Sequence, residues 1–104
     1  MRTEKNGTTL LVTDLSALIA ENCRVVKELT LAALGPEHQT IDINLGTTRS
    51  IDSEGLGTLI SLHKAMCQRE GRLRLINPLP FTEQMFKLLR LDSILEIVHL
   101  KNCA

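Results

Sequence analysis

The feature that most constrains this chain is the alternation of two hydrophobic periods along its length. Residues Thr8 to Leu15 (Thr-Thr-Leu-Leu-Val-Thr-Asp-Leu) follow the turn signal Asn6-Gly7 and are rich in β-branched and aliphatic types, which predicts a strand. From about Ile19 to Leu34 the apolar residues Val25, Val26, Leu29, Ala32 and Ala33 recur at spacings of three and four. That spacing predicts one buried helix face, with Glu21, Arg24, Lys27 and Glu28 mostly outward. Gly35-Pro36 ends the helix, since proline cannot continue it. Ile41, Ile43 and Leu45 then alternate with Asp42 and Asn44, the period of a strand. A second helix is expected from near Ser53 to about Arg69, with Leu56, Leu59, Ile60, His63, Met66 and Cys67 as its stripe and Gly71 past its end. Leu73 and Leu75 alternate with Arg72 and Arg74 in a further strand, stopped by Asn77-Pro78. A third helix over roughly Phe81 to Leu89 carries Phe81, Met85, Leu88 and Leu89 on one side, and a closing strand spans about Ile94 to Leu100.

Strand, helix, strand, helix, strand, helix, strand implies right-handed crossovers. The expected class is α/β, a mixed, largely parallel sheet of about four to five strands covered by helices. At 104 residues the chain is expected to form one domain over residues 1–104, large enough to bury a core without staples. That core must be aliphatic, because Phe81 and Phe86 are the only aromatic residues. Stacking platforms for bases and aromatic cages for cations are thereby excluded. The 12 basic and 12 acidic side chains cancel, which removes the electrostatic attraction that dominates nucleic-acid affinity, so no nucleic-acid partner is expected. Cys23, Cys67 and Cys103 are odd in number and widely separated, as in a reducing cytoplasm. The first residues carry no apolar signal region, and no apolar run approaches the roughly 20 residues needed to span a bilayer. A cytoplasmic protein without direct membrane insertion is expected.

Catalytic signatures are missing. No G-x-S-x-G, no phosphate-binding loop and no H-E-x-x-H occurs, and Gly55-Leu56-Gly57 is too short for a dinucleotide loop. No catalytic residue and no cofactor is assigned, and an enzyme is not expected. Three histidines are present, His38, His63 and His99. His63 and Cys67 lie four apart and offer two metal ligands, but no second Cys/His pair joins them. No metal site is therefore expected, and Cys67 reads as a small buried hydrophobe.

What stands out is Ser50-Ile51-Asp52-Ser53-Glu54-Gly55-Leu56-Gly57. In structural terms it is a helix N-terminus. Asp52 or Ser53 accepts bonds from unpaired amides, Glu54 lies against the positive end of the dipole, and the glycines allow close packing on the sheet. In functional terms, a serine hydroxyl at such a junction is exposed. A phosphate placed on it would meet free amides and add a charge of about −2.

The succession Ile41-Asp42-Ile43-Asn44-Leu45, a short connection, then Ile51-Asp52-Ser53-Glu54-Gly55-Leu56-Gly57 resembles the STAS domain, the fold of bacterial anti-sigma factor antagonists. There an aliphatic strand leads to Asp-Ser-Ser/Thr-Gly-Leu-Gly opening a helix. Gly71 before Leu73 to Ile76, Asn77-Pro78, and Phe86-Lys87-Leu88-Leu89-Arg90-Leu91-Asp92 also look like the family's later parts, with Arg90 where glycine is usual. The match covers roughly residues 39–98. It implies that Ser53 is the serine phosphorylated by a partner kinase. Asp52, Ser53, Glu54, Gly55, Leu56 and Gly57 would then form the partner-binding segment. The implied partner is an anti-sigma factor with a histidine-kinase-like fold and serine kinase activity, bound by the unphosphorylated form and released on phosphorylation. The sequence departs from the pattern in three places. Glu54 replaces the usual Ser/Thr, and Leu15-Ser16-Ala17-Leu18-Ile19-Ala20 replaces a Gly-Glu-Leu-Asp loop. Thr48 and Ser50 stand where apolar residues are common, which is expected to loosen the approach to the helix. Small stand-alone STAS proteins also resemble the cytosolic accessory subunit of ABC lipid transporters, which docks on the transporter's ATPase. That reading stays open beside the first.

Overall fold

The computed structural model describes residues 1–100. Its elements are β1 (Arg2–Asn6), β2 (Thr9–Thr13), β3 (Ala17–Leu18), α1 (Cys23–Ala33), β4 (Thr40–Asn44), β5 (Ser50–Ile51), α2 (Ser53–Gln68), β6 (Arg72–Ile76), α3 (Pro80–Leu88) and β7 (Glu96–Val98), with a 3₁₀ turn at Leu91–Ser93. The main sheet runs β1-β2-β4-β6-β7, antiparallel between β1 and β2 and parallel elsewhere. The α/β class and the largely parallel sheet agree with the pattern of periods. Strand β1 and the short strands β3 and β5 are the elements that the pattern did not announce. Asn6-Gly7 is the turn of a hairpin rather than the mere start of a strand, and Gly7 takes the left-handed conformation (φ 60°) that such a turn requires.

Alternation explains where the core lies. Leu10 and Val12 of β2 stand beside Ile41 and Ile43 of β4, which stand beside Leu73 and Leu75 of β6, and all six are buried. Cys23 and Val26 of α1, Leu56, Leu59, Leu62 and Met66 of α2, and Phe86 of α3 join them in one cluster. The opposite face of the sheet is mostly polar, with Leu11, Ile76 and Val98 among its residues, and the buried sides of α1, α2 and α3 all join the cluster on the first face. On that opposite face Asp42 and Arg74, paired in register across β4 and β6, form a two-pronged ion pair with both N–O distances at 2.7 Å. The hydrogen bonds to Asp42 push the Arg74 guanidinium further above its ordinary pKa.

The helices differ from expectation in which side they bury. In α1 the buried positions are Cys23, Val26 and Thr30, while Val25 and Leu29 are 54% and 51% exposed. The sequence offers two apolar stripes there, and the sheet selects the one that also carries Thr30. Residues 19–22 form a turn before α1 instead of its first coil. In α3 Phe86 and Thr82 face inward, leaving Phe81 and Leu88 at 76% and 77% exposure. Cys67 is exposed, not buried, because it falls on the outer side of α2; Cys103 lies outside the described residues. The closing strand is shorter than expected, since the chain must first turn through Arg90, which takes a left-handed φ of 57° where a glycine would be unstrained. Among the described residues no helix is long and apolar enough to cross a membrane.

Candidate functional site

The site is the N-terminal turn of α2, and it is built by two stretches of chain far apart in sequence. Residues following β4 lead through Thr48 and Arg49 into β5. Residues following β2 lead through Leu15 and Ser16 into β3, and the two short strands pair in parallel, Ala17 with Ser50 and Leu18 with Ile51. The buried Thr48 hydroxyl donates to the Leu15 carbonyl, and the Arg49 amide donates to the Ser16 carbonyl at 2.9 Å. Thr48 thus fastens the approach to α2, where its polarity was expected to loosen it. A buried hydroxyl with a partner costs little, and here it joins two strands.

Asp52 is the N-cap of α2. Its Oδ1 accepts from the Gly55 amide at 2.9 Å, and its Oδ2 accepts from the Ala20 amide, also at 2.9 Å. One carboxylate therefore closes the helix and holds the β3–α1 turn against it. These bonds, Gly55 first and Ala20 second, hold the Asp52 carboxyl below its ordinary pKa. Asn22 stiffens the same turn: its side chain accepts from the Ile19 amide at 2.9 Å and donates to the Ala17 carbonyl at 2.8 Å.

Ser53 and Glu54 are the first two residues of the helix, and both are exposed. Asp52 satisfies the amide of Gly55, whereas those of Ser53 and Glu54 have no partner within the helix by construction. The positive end of a 16-residue helix thus lies beside an accessible hydroxyl and an accessible carboxylate. Gly55 and Leu56 turn inward, Leu56 into the core cluster. A Cβ on Gly55 would overlap the Leu18 carbonyl oxygen, so the close approach of α2 to β3 requires glycine there. Gly57 faces out, and a Cβ on it would meet nothing within 4 Å.

Of the six residues singled out from sequence, Ser53, Glu54 and Gly57 therefore form the accessible surface. Asp52 braces it, and Gly55 and Leu56 seat it. Ala17, Leu18 and Ala20 border it through their backbone, and the sequence could not assign them that part because no side chain carries the bonds. The arrangement can present a hydroxyl and a carboxylate on a fixed ledge; it holds no nucleophile–base pair.

The geometry is matched in solved structures. TM1081 of Thermotoga maritima, provisionally classed as an anti-sigma factor antagonist, superposes with a TM-score of 0.84 at 21% identity, covering 97% of this chain and 86% of that one. The anti-sigma factor antagonist SpoIIAA in its unphosphorylated form gives a TM-score of 0.81 at 18% identity, over 97% of this chain and 88% of that one. The phosphorylated form of SpoIIAA, a Bacillus cell fate determinant, gives 0.75 at 18% identity, over 97% and 91%. At these identities the likeness is one of fold. No curated protein matches the sequence. The family pattern described as "Mlab, STAS domain" matches residues 1–98, and on that match, with the sheet and the α2 turn in agreement, the chain belongs to this STAS-domain family.

Proposed function

We propose that this protein is a regulatory interaction module of the anti-sigma factor antagonist type, docking through the start of α2 and switched by phosphorylation of Ser53. The observation that carries the reading is the placement of Ser53: exposed, at the first helical position, on a ledge fixed by the two bonds of Asp52. A surface already rigid before binding loses little entropy when a partner lands on it. The partner is an anti-sigma factor with serine kinase activity. Phosphorylation adds about two negative charges where a partner had met a neutral hydroxyl, and the exposed Glu54 beside it increases the repulsion. The existence of SpoIIAA in phosphorylated and unphosphorylated forms of one fold supports such a switch.

A second reading is favoured by two observations. Glu54 makes Ser53 a costlier phosphate acceptor, and the family pattern carries the name Mlab. Here the same ledge docks on the ATPase of an ABC lipid transporter, with Ser53 an unmodified contact. Native capture from the source cell, with mass spectrometry of the partner and of Ser53, separates the two. A histidine-kinase-like ATPase with phosphate on unbound Ser53 supports the switch. An ABC ATPase with unmodified Ser53 replaces it with the second reading.

A further inference from the structure

Away from the Ser53 ledge, the hairpin turn carries the single Asn-Gly step of the sequence. Asn6 and Thr9 are the last pair of the β1–β2 ladder, so Gly7 and Thr8 alone make the turn and the Gly7 amide lies beyond the ladder. Asn6 and Gly7 are both exposed, and a Cβ on Gly7 would meet nothing within 4 Å, so solvent reaches the junction between them. Asn22, Asn44 and Asn77 are held differently. Their side-chain oxygens accept from the amides of Ile19 at 2.9 Å, Gly46 at 2.8 Å and Leu100 at 2.7 Å. The residues that follow them are Cys23, Leu45 and Pro78, each with a Cβ beside its own nitrogen, and the proline nitrogen has no proton to lose. Asn6 makes no such side-chain bond among the described residues, and the glycine after it leaves its nitrogen open to close approach.

We infer that Asn6 is a site of spontaneous conversion to isoaspartate, and that the conversion detaches β1 from β2 while the rest of the domain stays folded. The Gly7 amide nitrogen gives its proton to solvent base and bonds to Cγ of Asn6. The bond from Cγ to Nδ2 breaks, and Nδ2 leaves as ammonia with a proton taken from water. A five-membered succinimide remains, and one water molecule opens it. Opening at Cγ gives aspartate. Opening at the main-chain carbonyl frees the α-carboxylate and carries the chain through Cγ, which is isoaspartate. The main chain is then one methylene longer at the residue where the ladder closes with Thr9, and a two-residue turn has no slack to absorb it. All five residues of β1 are exposed, so ladder and turn hold the strand with no buried side chain as an anchor. The core cluster contains no β1 residue and stays intact without it.

The test incubates the full chain, folded and kept reduced, in warm and mildly alkaline buffer. Peptide mass mapping follows the gain of about one mass unit at each asparagine. Methyl transfer by an isoaspartyl methyltransferase separates isoaspartate from aspartate. Asn6 should convert about tenfold faster than Asn22, Asn44 or Asn77, whose held side chains must first open locally. The isoaspartate fraction, isolated by ion exchange, should lose hydrogen-exchange protection in β1 by about tenfold and keep it in β4 and β6. Asn6→Gln should block the conversion and keep β1 protected through the same incubation. Asn6→Asp adds the charge without the methylene and should also keep β1 protected. The inference is overturned if Asn6 converts no faster than the other three, or if β1 stays protected in the isoaspartate fraction. Loss of β1 in Asn6→Asp overturns it too, by giving the effect to charge rather than to chain length.

Discussion

The two glycines of the first turns of α2 sit two residues apart and answer to different demands. Gly55 looks inward, where the Leu18 carbonyl occupies the place of any side chain. Gly57 looks outward into open space. Glycine inside a helix costs about 0.5–1 kcal/mol relative to alanine, so each position needs a reason. The fold supplies one for Gly55. Nothing among the described residues supplies one for Gly57, and under the proposed docking the close approach of a partner's backbone would supply it. The inner side of this turn is shaped by the packing of α2 on β3, and the outer side is available to be shaped by binding.

Substitution can break that contrast. The largest effect is expected at Gly55→Ala, where α2 must move away from β3. The loss should reach about 3 kcal/mol, the upper part of the range for overpacking, read as a lowered midpoint in urea unfolding. A midpoint equal to that of the unaltered protein would remove the steric argument. Next comes Ser53→Asp, which should leave the midpoint near its original value and weaken partner binding by about 1–3 kcal/mol, while Ser53→Ala retains binding. Calorimetric titration against the captured partner reads both, and full-strength binding by the aspartate variant counts against the switch. Gly57→Ala should do the opposite of Gly55→Ala, raising stability by about 0.5–1 kcal/mol while reducing binding. If alanine there left binding untouched, the outer side would lose its functional meaning.

The finest distinction concerns pH. The Asp52 carboxyl is held below its ordinary pKa, so its contribution is complete above the unfolded value and is lost as pH falls through the folded one. Thermal melts of Asp52→Asn against the original protein should differ by a constant amount near neutrality and converge in acid. A gap that stayed constant down to strongly acidic pH would mean that the bonds to Gly55 and Ala20 do not depend on the charge.

The same division between side-chain and backbone information decides how much could be read beforehand. Strands β4 and β6 were legible because their apolar residues alternate, β2 because it is rich in β-branched and aliphatic residues after a turn signal, and Asp52 and Ser53 because a capping residue and an exposed hydroxyl are written in residue types. Strand β1, Arg-Thr-Glu-Lys-Asn, has no apolar alternation, and only the Asn6-Gly7 turn hinted at it. The buried side of α1 was ambiguous because Val25 and Leu29 make as good a stripe as Val26 and its neighbours, and tertiary packing chose between them. The β3–β5 pairing was hidden for a third reason. It depends on carbonyls and amides of Ser16, Leu18 and Ala20, which every residue type possesses.

The hairpin that eluded the sequence has a consequence for solubility. Strand β2 carries Leu10, Leu11 and Val12 in succession, and without β1 its outer edge would present open amides and carbonyls to any other extended chain. Strand β1 contributes no buried residue to the core, yet it occupies that edge and replaces it with one bearing Arg2, Glu4 and Lys5. Its five residues act as a sheath against aggregation, a service measured in the molecules that stay dispersed.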